Sequence, residues 1–247
     1  MINKLYDSFS QTVSDVPDGS TIMFSGFGTP GVPMNLIQAL LEQGAKNLVG
    51  ISNRAGGGRG IRDDDINVGT LIKAGRIRKM ICSITAPAKR NMEVSFDRMY
   101  EAGEIEAELV PQGTLAERIR AAGAGIVGFY TPTGVGTEIA AGKEVRRLDG
   151  RDYLLERPLF ADFAFIRAYK TDRWGNLQYR FAQRNLGPLM AMAARTTIVE
   201  IEDRIVETGT LDPDHIHTPG NYVQRLVLIP PPPEGLWPRI ARQEHEV

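Results

Sequence analysis

Gly26, Gly28 and Gly31 form a G-x-G-x-x-G pattern between the β-branched and aromatic run Thr21-Ile22-Met23-Phe24 and a helical apolar pattern that opens at Pro33. Glycines at this spacing let a backbone come close to a phosphate or an acyl group, so a dinucleotide loop is the first chemistry to test. That chemistry needs a carboxylate about 20 residues further on, at the end of the next strand, to hold a ribose. Here that strand is Leu48-Val49-Gly50-Ile51-Ser52-Asn53, which ends on an amide and offers no acid. Pro30 and Pro33 also remove two N–H groups from the turn that would cradle a pyrophosphate. Nicotinamide-dependent oxidoreduction is therefore a minor alternative, and a tight strand-to-helix turn is the plain one.

Other reactive types are sparse. His215 and His217 make a His-x-His pair, too few ligands for a metal, so no metal site is expected. No Gly-x-Ser-x-Gly elbow exists to seat a Ser-His-Asp hydrolase. The single cysteine, Cys82, lies in Lys79-Met80-Ile81-Cys82-Ser83-Ile84, which reads as a buried strand with nothing to lower a thiol pKa. One cysteine excludes an internal disulfide and fits a reducing compartment. Trp174 and Trp237 are too few for a base-stacking platform.

The elements that must position the glycine loop come from periodicity. The chain has 247 residues, 42% hydrophobic and 24% charged, enough for one large α/β domain or at most two small ones. Its net charge of −1 gives no footprint for nucleic acid or an anionic membrane. No run of 18 apolar residues exists, and the first residues carry early acids without a leader pattern, so a cytoplasmic protein is expected.

Ile2, Leu5, Phe9 and Val13 recur at helical spacing and predict an amphipathic helix over 2–13. Strands are predicted at 21–24, 48–52, 79–84, 107–110 and 126–130. Helices are predicted from Pro33 to Gly44, near 69–74, around 92–102, and up to Ala122 from a capping box at Thr114-Leu115-Ala116-Glu117. This alternation implies an open, largely parallel α/β sheet flanked by helices. The second half adds a hairpin about Asp149-Gly150, strands flanking Asp172–Asn176, a helix at 189–194 and strands at 197–201 and 223–229. Pro230 to Pro233 begin a proline-rich tail, so a domain over 1–229 and a tail over 230–247 are expected.

Asp18-Gly19 through Gly31-Val32-Pro33 resembles the signature of family I coenzyme A-transferase A subunits. Further stretches resemble family landmarks in family order: Ile51-Ser52-Asn53, Val110-Pro111-Gln112-Gly113, Phe129 to Thr137, Asp172-Arg173-Trp174-Gly175-Asn176, Arg184-Asn185, and Leu211-Asp212-Pro213 through Thr218-Pro219-Gly220. The resemblance covers residues 1 to about 229 and implies the NagB/RpiA-like form of the open α/β sheet.

It also implies a ping-pong exchange of CoA between succinyl-CoA and a 3-oxo acid. In that family a glutamate attacks the acyl-CoA, and an anhydride and then a glutamyl-CoA thioester follow. The glutamate belongs to a Ser-Glu-Asn-Gly motif on the B subunit. This chain lacks that motif, and its Glu42-Gln43-Gly44 and Glu101-Ala102-Gly103 stretches read as helix ends. A partner B subunit is thus implied, with a CoA thioester as substrate and no permanently bound cofactor.

By the same resemblance Asn53 and Gln112 are the amide donors to the oxyanion, a term that is often the largest in such catalysis. Loop amides bonding their own backbone are the alternative. Gly26, Gly28 and Gly31, with Thr131 and Thr133, are the implied acyl-pocket residues. The sequence departs from the family where Arg54 replaces a second asparagine and Gly56–Asp65 lengthens a loop. Arg54, Arg59 and Arg62 could clamp a carboxylate bidentately, suiting a dicarboxylic acceptor, or could be neutralised by Asp63–Asp65 in solvent. 3-Oxoadipate is the favoured acceptor and acetoacetate the alternative. A catalytically inert binding or regulatory protein of the same fold is the reading from another class.

Overall fold

The computed structural model describes residues 3–56, 65–86 and 95–230. Residues 231–247 of the predicted tail and most of the lengthened loop, Arg59 and Arg62 included, lie outside these residues.

Strands β1 (Leu5–Tyr6), β2 (Thr21–Phe24), β3 (Leu48–Arg54), β4 (Ile77–Ile84) and β5 (Glu106–Leu109) alternate with helices α1 (Phe9–Val13), α2 (Met34–Gln43), α3 (Val68–Lys73) and α4 (Ser95–Glu101). Helix α5 (Gln112–Gly123) precedes a small sheet of β6 (Phe129–Thr131), β7 (Val145–Leu148) and β8 (Arg151–Glu156). The chain then re-enters the large sheet through β9 (Ala161–Asp172), β10 (Leu177–Gln178), β11 (Ala194–Val206) and β12 (Arg225–Leu228), with α6 (Gly187–Ala193) between β10 and β11.

Among the described residues the large sheet runs β1-β12-β11-β9-β2-β3-β4-β5, with β10 on β9. Every pair except β10–β9 is parallel. Alternation of side chains along the strands builds two cores. Ile22, Phe24, Phe163 and Phe165 face one layer with α2, α3 and α4, while Met23, Ala164 and Ile166 face the other with α5 and α6. The expected open, parallel α/β sheet with a second-half hairpin is what forms. Asp149 (φ 46°) and Gly150 (φ 78°) both take the left-handed conformation that a type I′ hairpin turn requires.

Two local expectations are corrected. Residues 2–13 are not one helix: Leu5 and Tyr6 pair in parallel with Leu226 and Val227, and only then does the Ser8 side chain cap α1. An open sheet edge outweighs the local helical period there, because pairing satisfies the backbone and buries the same apolar residues. The Thr114–Glu117 capping box does not form. Helix α5 starts at Gln112, Thr114 is buried within its first turn, and Glu117 pairs with Arg120 at 2.9 Å.

From β2 the sheet grows through β3, β4 and β5 in one direction and through β9, β11 and β12 in the other. The order therefore reverses beside β2. In open α/β sheets the carboxyl ends of strands at such a reversal form the binding crevice.

Candidate active site

The glycine loop closes the carboxyl end of β2. Ser25 sits at the bend: its Oγ donates to the Gly31 carbonyl at 2.6 Å and accepts from the Arg167 N–H at 3.3 Å. The Phe27 N–H donates to the Pro30 carbonyl at 3.1 Å, which closes the loop on itself. A Cβ on Gly26 would lie 2.7 Å from Val32 Cγ2, and one on Gly31 would lie 2.6 Å from the Gln183 carbonyl oxygen. Both positions also have positive φ, so the glycines are needed for close packing as well as for the turn.

A shallow cleft opens between this loop, the end of β3 and the start of α3. Gly26, Gly28, Asn53 and Arg54 line it, as do Ser52 and Asn67, the residue that caps α3. Gly31 lies behind the loop and is not among the lining residues. Thr131 and Thr133 stand in and just after β6, on the small sheet, where the Thr133 N–H donates to Thr131 Oγ1 at 3.2 Å. They too are not among the lining residues.

Asn53 and Gln112 do meet. Asn53, 3% exposed, ends the buried part of β3, and Gln112 opens α5 after β5. Gln112 Nε2 donates to Asn53 Oδ1 at 2.6 Å across 59 residues of sequence. The parallel register of β3, β4 and β5 makes this possible by aligning the carboxyl ends of all three strands. The bond fixes the orientation of the Asn53 amide and leaves its Nδ2–H groups as the donating end. Arg54 is directed elsewhere in part: its Nη1 donates to the Ala86 carbonyl.

Beneath the loop lies a charged network that sequence reasoning missed. Glu200, fully buried in β11, accepts from the Asn35 and Leu36 N–H groups at 2.9 and 3.0 Å, at the start of α2. Arg167 lies 3.5 Å from Glu200 and 3.3 Å from Glu202, and Gln183 Nε2 donates to Glu202 at 2.9 Å. Burial pushes the Glu200 carboxyl up to about 7, against the pull of Arg167 and the two helix N–H groups. A charged residue inside the apolar run Thr197–Ile201 was the available signal.

Cys82 is buried in β4, and burial raises its thiol to about 11 even though Arg54 pulls it down. Among the described residues no group of three or more His, Cys, Asp or Glu side chains could hold a metal. His217 Nδ1 accepts from the Tyr179 N–H at 3.0 Å, while His215 faces Asp212 at 3.1 Å.

The Asp172–Asn176 landmark is structural in this fold. Asp172 Oδ1 accepts the N–H groups of Trp174 and Asn176 at 3.0 Å each. Asn176 Oδ1 accepts from the Gly220 N–H at 2.8 Å, so two of the family landmarks are one packed unit.

A parallel α/β sheet, a glycine loop at its order reversal and paired amides at its carboxyl edge agree with the family match: the coenzyme A transferase family model covers residues 6–228. The chain belongs to that family and is a transferase. It is 55% identical over 229 residues to the A subunit of 3-oxoadipate CoA-transferase from Pseudomonas putida, covering 93% of this chain and 95% of that one. It is 48% identical over 227 residues to the A subunit of the probable succinyl-CoA:3-ketoacid coenzyme A transferase of Bacillus subtilis, covering 92% and 90%. The fold matches a crystal structure of an acyl-CoA transferase from Escherichia coli O157:H7 with a TM-score of 0.76 at 23% identity. That match covers 92% of this chain and 47% of the longer one, so this chain spans about half of that relative. The dinucleotide alternative has no support in this assignment.

Proposed function

We propose that this chain is the A-type subunit of a 3-oxoacid CoA-transferase, taking CoA from succinyl-CoA and passing it to a 3-oxo acid, with 3-oxoadipate as the favoured acceptor. The name of the Pseudomonas putida relative supports that acceptor. The nucleophile is a glutamate of a partner B subunit, carried in a Ser-Glu-Asn-Gly motif that this chain lacks. Both relatives are themselves A subunits by name, which supports such a partner. The setting is cytoplasmic. Among the described residues no helix is long and apolar enough to cross a membrane.

One observation carries the site assignment: the 2.6 Å bond from Gln112 to Asn53 at the carboxyl edge of the sheet. When the partner's glutamate attacks the thioester carbonyl, its oxygen gains negative charge. A neutral amide donor stabilises that charge without repelling the incoming carboxylate. Asn53 is the donor, and Gln112 holds its amide in the donating orientation. The same pair serves the later steps: thiolate attack on the glutamyl carbonyl of the anhydride, which releases succinate; attack of the acceptor carboxylate on the glutamyl thioester, which expels the CoA thiolate and forms a second anhydride; and attack of that thiolate on the acceptor's acyl carbonyl, which gives the 3-oxoacyl-CoA and frees the glutamate. Gly26 and Gly28 form the neighbouring wall, against which a bulky side chain would crowd the acyl group. Arg54 meets the distal carboxylate of a dicarboxylic acid through the N–H groups that Ala86 does not occupy. Thr131 and Thr133 have no lining position to support them in that role.

The test is transfer measured in a complex reconstituted with the B subunit. The chain alone should be inactive. Asn53→Ala should lower kcat on the order of a hundredfold, the smaller end of what losing such a donor costs, and Gln112→Ala, which releases the Asn53 amide, at least about tenfold. Full activity of both variants would remove the amide pair from the mechanism. Robust turnover by the isolated chain would remove the partner's glutamate.

A further inference from the structure

Asn185 has an unusual backbone and an unusually busy side chain. Its φ is 25°, and Phe181, four residues earlier, has φ 50°. These two non-glycine residues in the left-handed region bracket the turn Phe181–Arg184. Strain of this kind persists only where the surroundings enforce it, and it concentrates at functional sites.

The side chain shows what enforces it. Asn185 Oδ1 accepts from the Gly26 N–H at 3.2 Å and from the Leu186 N–H at 2.7 Å. Its Nδ2 is within bonding distance of three carbonyls, those of Pro30 at 3.3 Å, Ala182 at 3.3 Å and Gln183 at 2.7 Å. One amide therefore grips the glycine loop at both ends, at its first residue and at Pro30, from 159 and 155 residues away. Gly31 admits this grip: a Cβ there would stand 2.5 Å from Asn185 Nδ2. The clamp has a firm base, because Gln183 is tied to Glu202 and Glu202 to Arg167 on the sheet.

We propose that Asn185 is a positioning residue for the transfer reaction: it sets the shape of the cleft wall formed by Gly26 and Gly28 without touching substrate. An amide is the chemistry this place requires. The loop presents an N–H on one side and carbonyls on the other, and only a group with both acceptor and donor satisfies both. A carboxylate would accept from Gly26 but would face three carbonyl oxygens with no hydrogen to offer.

This inference rests on the reading of the cleft as the acyl site, and its test separates the two. In the reconstituted complex, kcat/KM is measured for a four-carbon and a six-carbon 3-oxo acid acceptor. The ratio of the two values does not depend on how much protein is folded, so a purely structural defect leaves it unchanged. Asn185→Ala and Asn185→Gly should lower kcat/KM at least tenfold and move the ratio at least threefold. Asn185→Asp should be impaired at pH 8 and regain activity relative to wild type as the pH falls, when the carboxyl takes up a proton to donate. If the alanine variant gives no soluble complex, Asn185→Ser carries the same comparison.

An unchanged ratio overturns the proposal. So does wild-type activity in Asn185→Gly, which would leave the backbone conformation as the residue's only role. If Gln112→Ala is impaired while Asn185→Ala matches wild type, the clamp is wrong and the site stands. If neither variant is impaired, the site assignment falls and takes the clamp with it.

Discussion

The same substitution at two glycines of one loop should have very different costs. Gly28 (φ 70°) and Gly31 (φ 77°) have nearly the same left-handed backbone. A left-handed alanine costs about 1–2 kcal/mol. Restricting the unfolded chain returns about 0.4–1 kcal/mol of that. At Gly28 little else is lost, because the new Cβ meets only Pro30 Cδ at 3.9 Å. Gly28→Ala should therefore cost at most about 1.6 kcal/mol. At Gly31 the Cβ would sit 2.5 Å from Asn185 Nδ2 and 2.6 Å from the Gln183 oxygen. That oxygen belongs to a backbone held by its own bonds, so it cannot swing aside. Overpacking adds about 1–3 kcal/mol. Each Asn185 bond that breaks adds about 1 kcal/mol. Gly31→Ala should cost about 3–5 kcal/mol. With a urea dependence of about 3 kcal/mol per molar, the unfolding midpoint should fall by about 1–1.7 M, against at most about 0.5 M for Gly28→Ala. Equilibrium urea unfolding followed by tryptophan fluorescence reads both. Equal midpoints for the two variants, or Gly31→Ala within about 0.3 M of wild type, would refute the argument that packing against the Gln183–Asn185 turn fixes this loop.

Two further outcomes follow from buried titratable groups. Glu200 binds its proton more tightly in the folded state, near 7 against an ordinary 4.5, so its stabilising contribution is full below 4.5 and is lost as the pH rises through 7. Between those limits wild type should lose on the order of 3 kcal/mol relative to Glu200→Gln, and a difference that stays flat from pH 4.5 to 8 would show that Arg167 and the α2 N–H groups hold the carboxylate ionised throughout. With its thiol raised to about 11, Cys82 should react with a thiol reagent at pH 8 at least about a hundredfold more slowly in the folded protein than in urea, and comparable rates in both states would contradict its burial in β4.

Much of the architecture was legible because each element carries its own period. Thr21–Phe24 is a strand within the predicted limits, and α2 ends at Gly44 in the left-handed cap conformation. The exceptions are places where distant chain competes for the same residues. Leu5 and Tyr6 join β12, and Thr114 is drawn into a helix that starts two residues early. Asn53 and Gln112 were legible as candidates only through family resemblance, since no spacing rule connects residues 59 apart.

The sequence by itself determined the alternation of strands and helices, the glycine loop, the absence of a Ser-Glu-Asn-Gly motif and the identity of the two amides. These are properties of composition and short-range order, which a linear pattern records. Only the tertiary structure decided that Gln112 orients Asn53, that Asn185 clamps Gly26 and Pro30, that Glu200 lies under α2, and that Thr131 and Thr133 stand on another sheet. The reason is the parallel register. It brings the carboxyl ends of β2, β3, β5 and β9 to one edge, and each crossover between them sets sequence separation apart from distance in space.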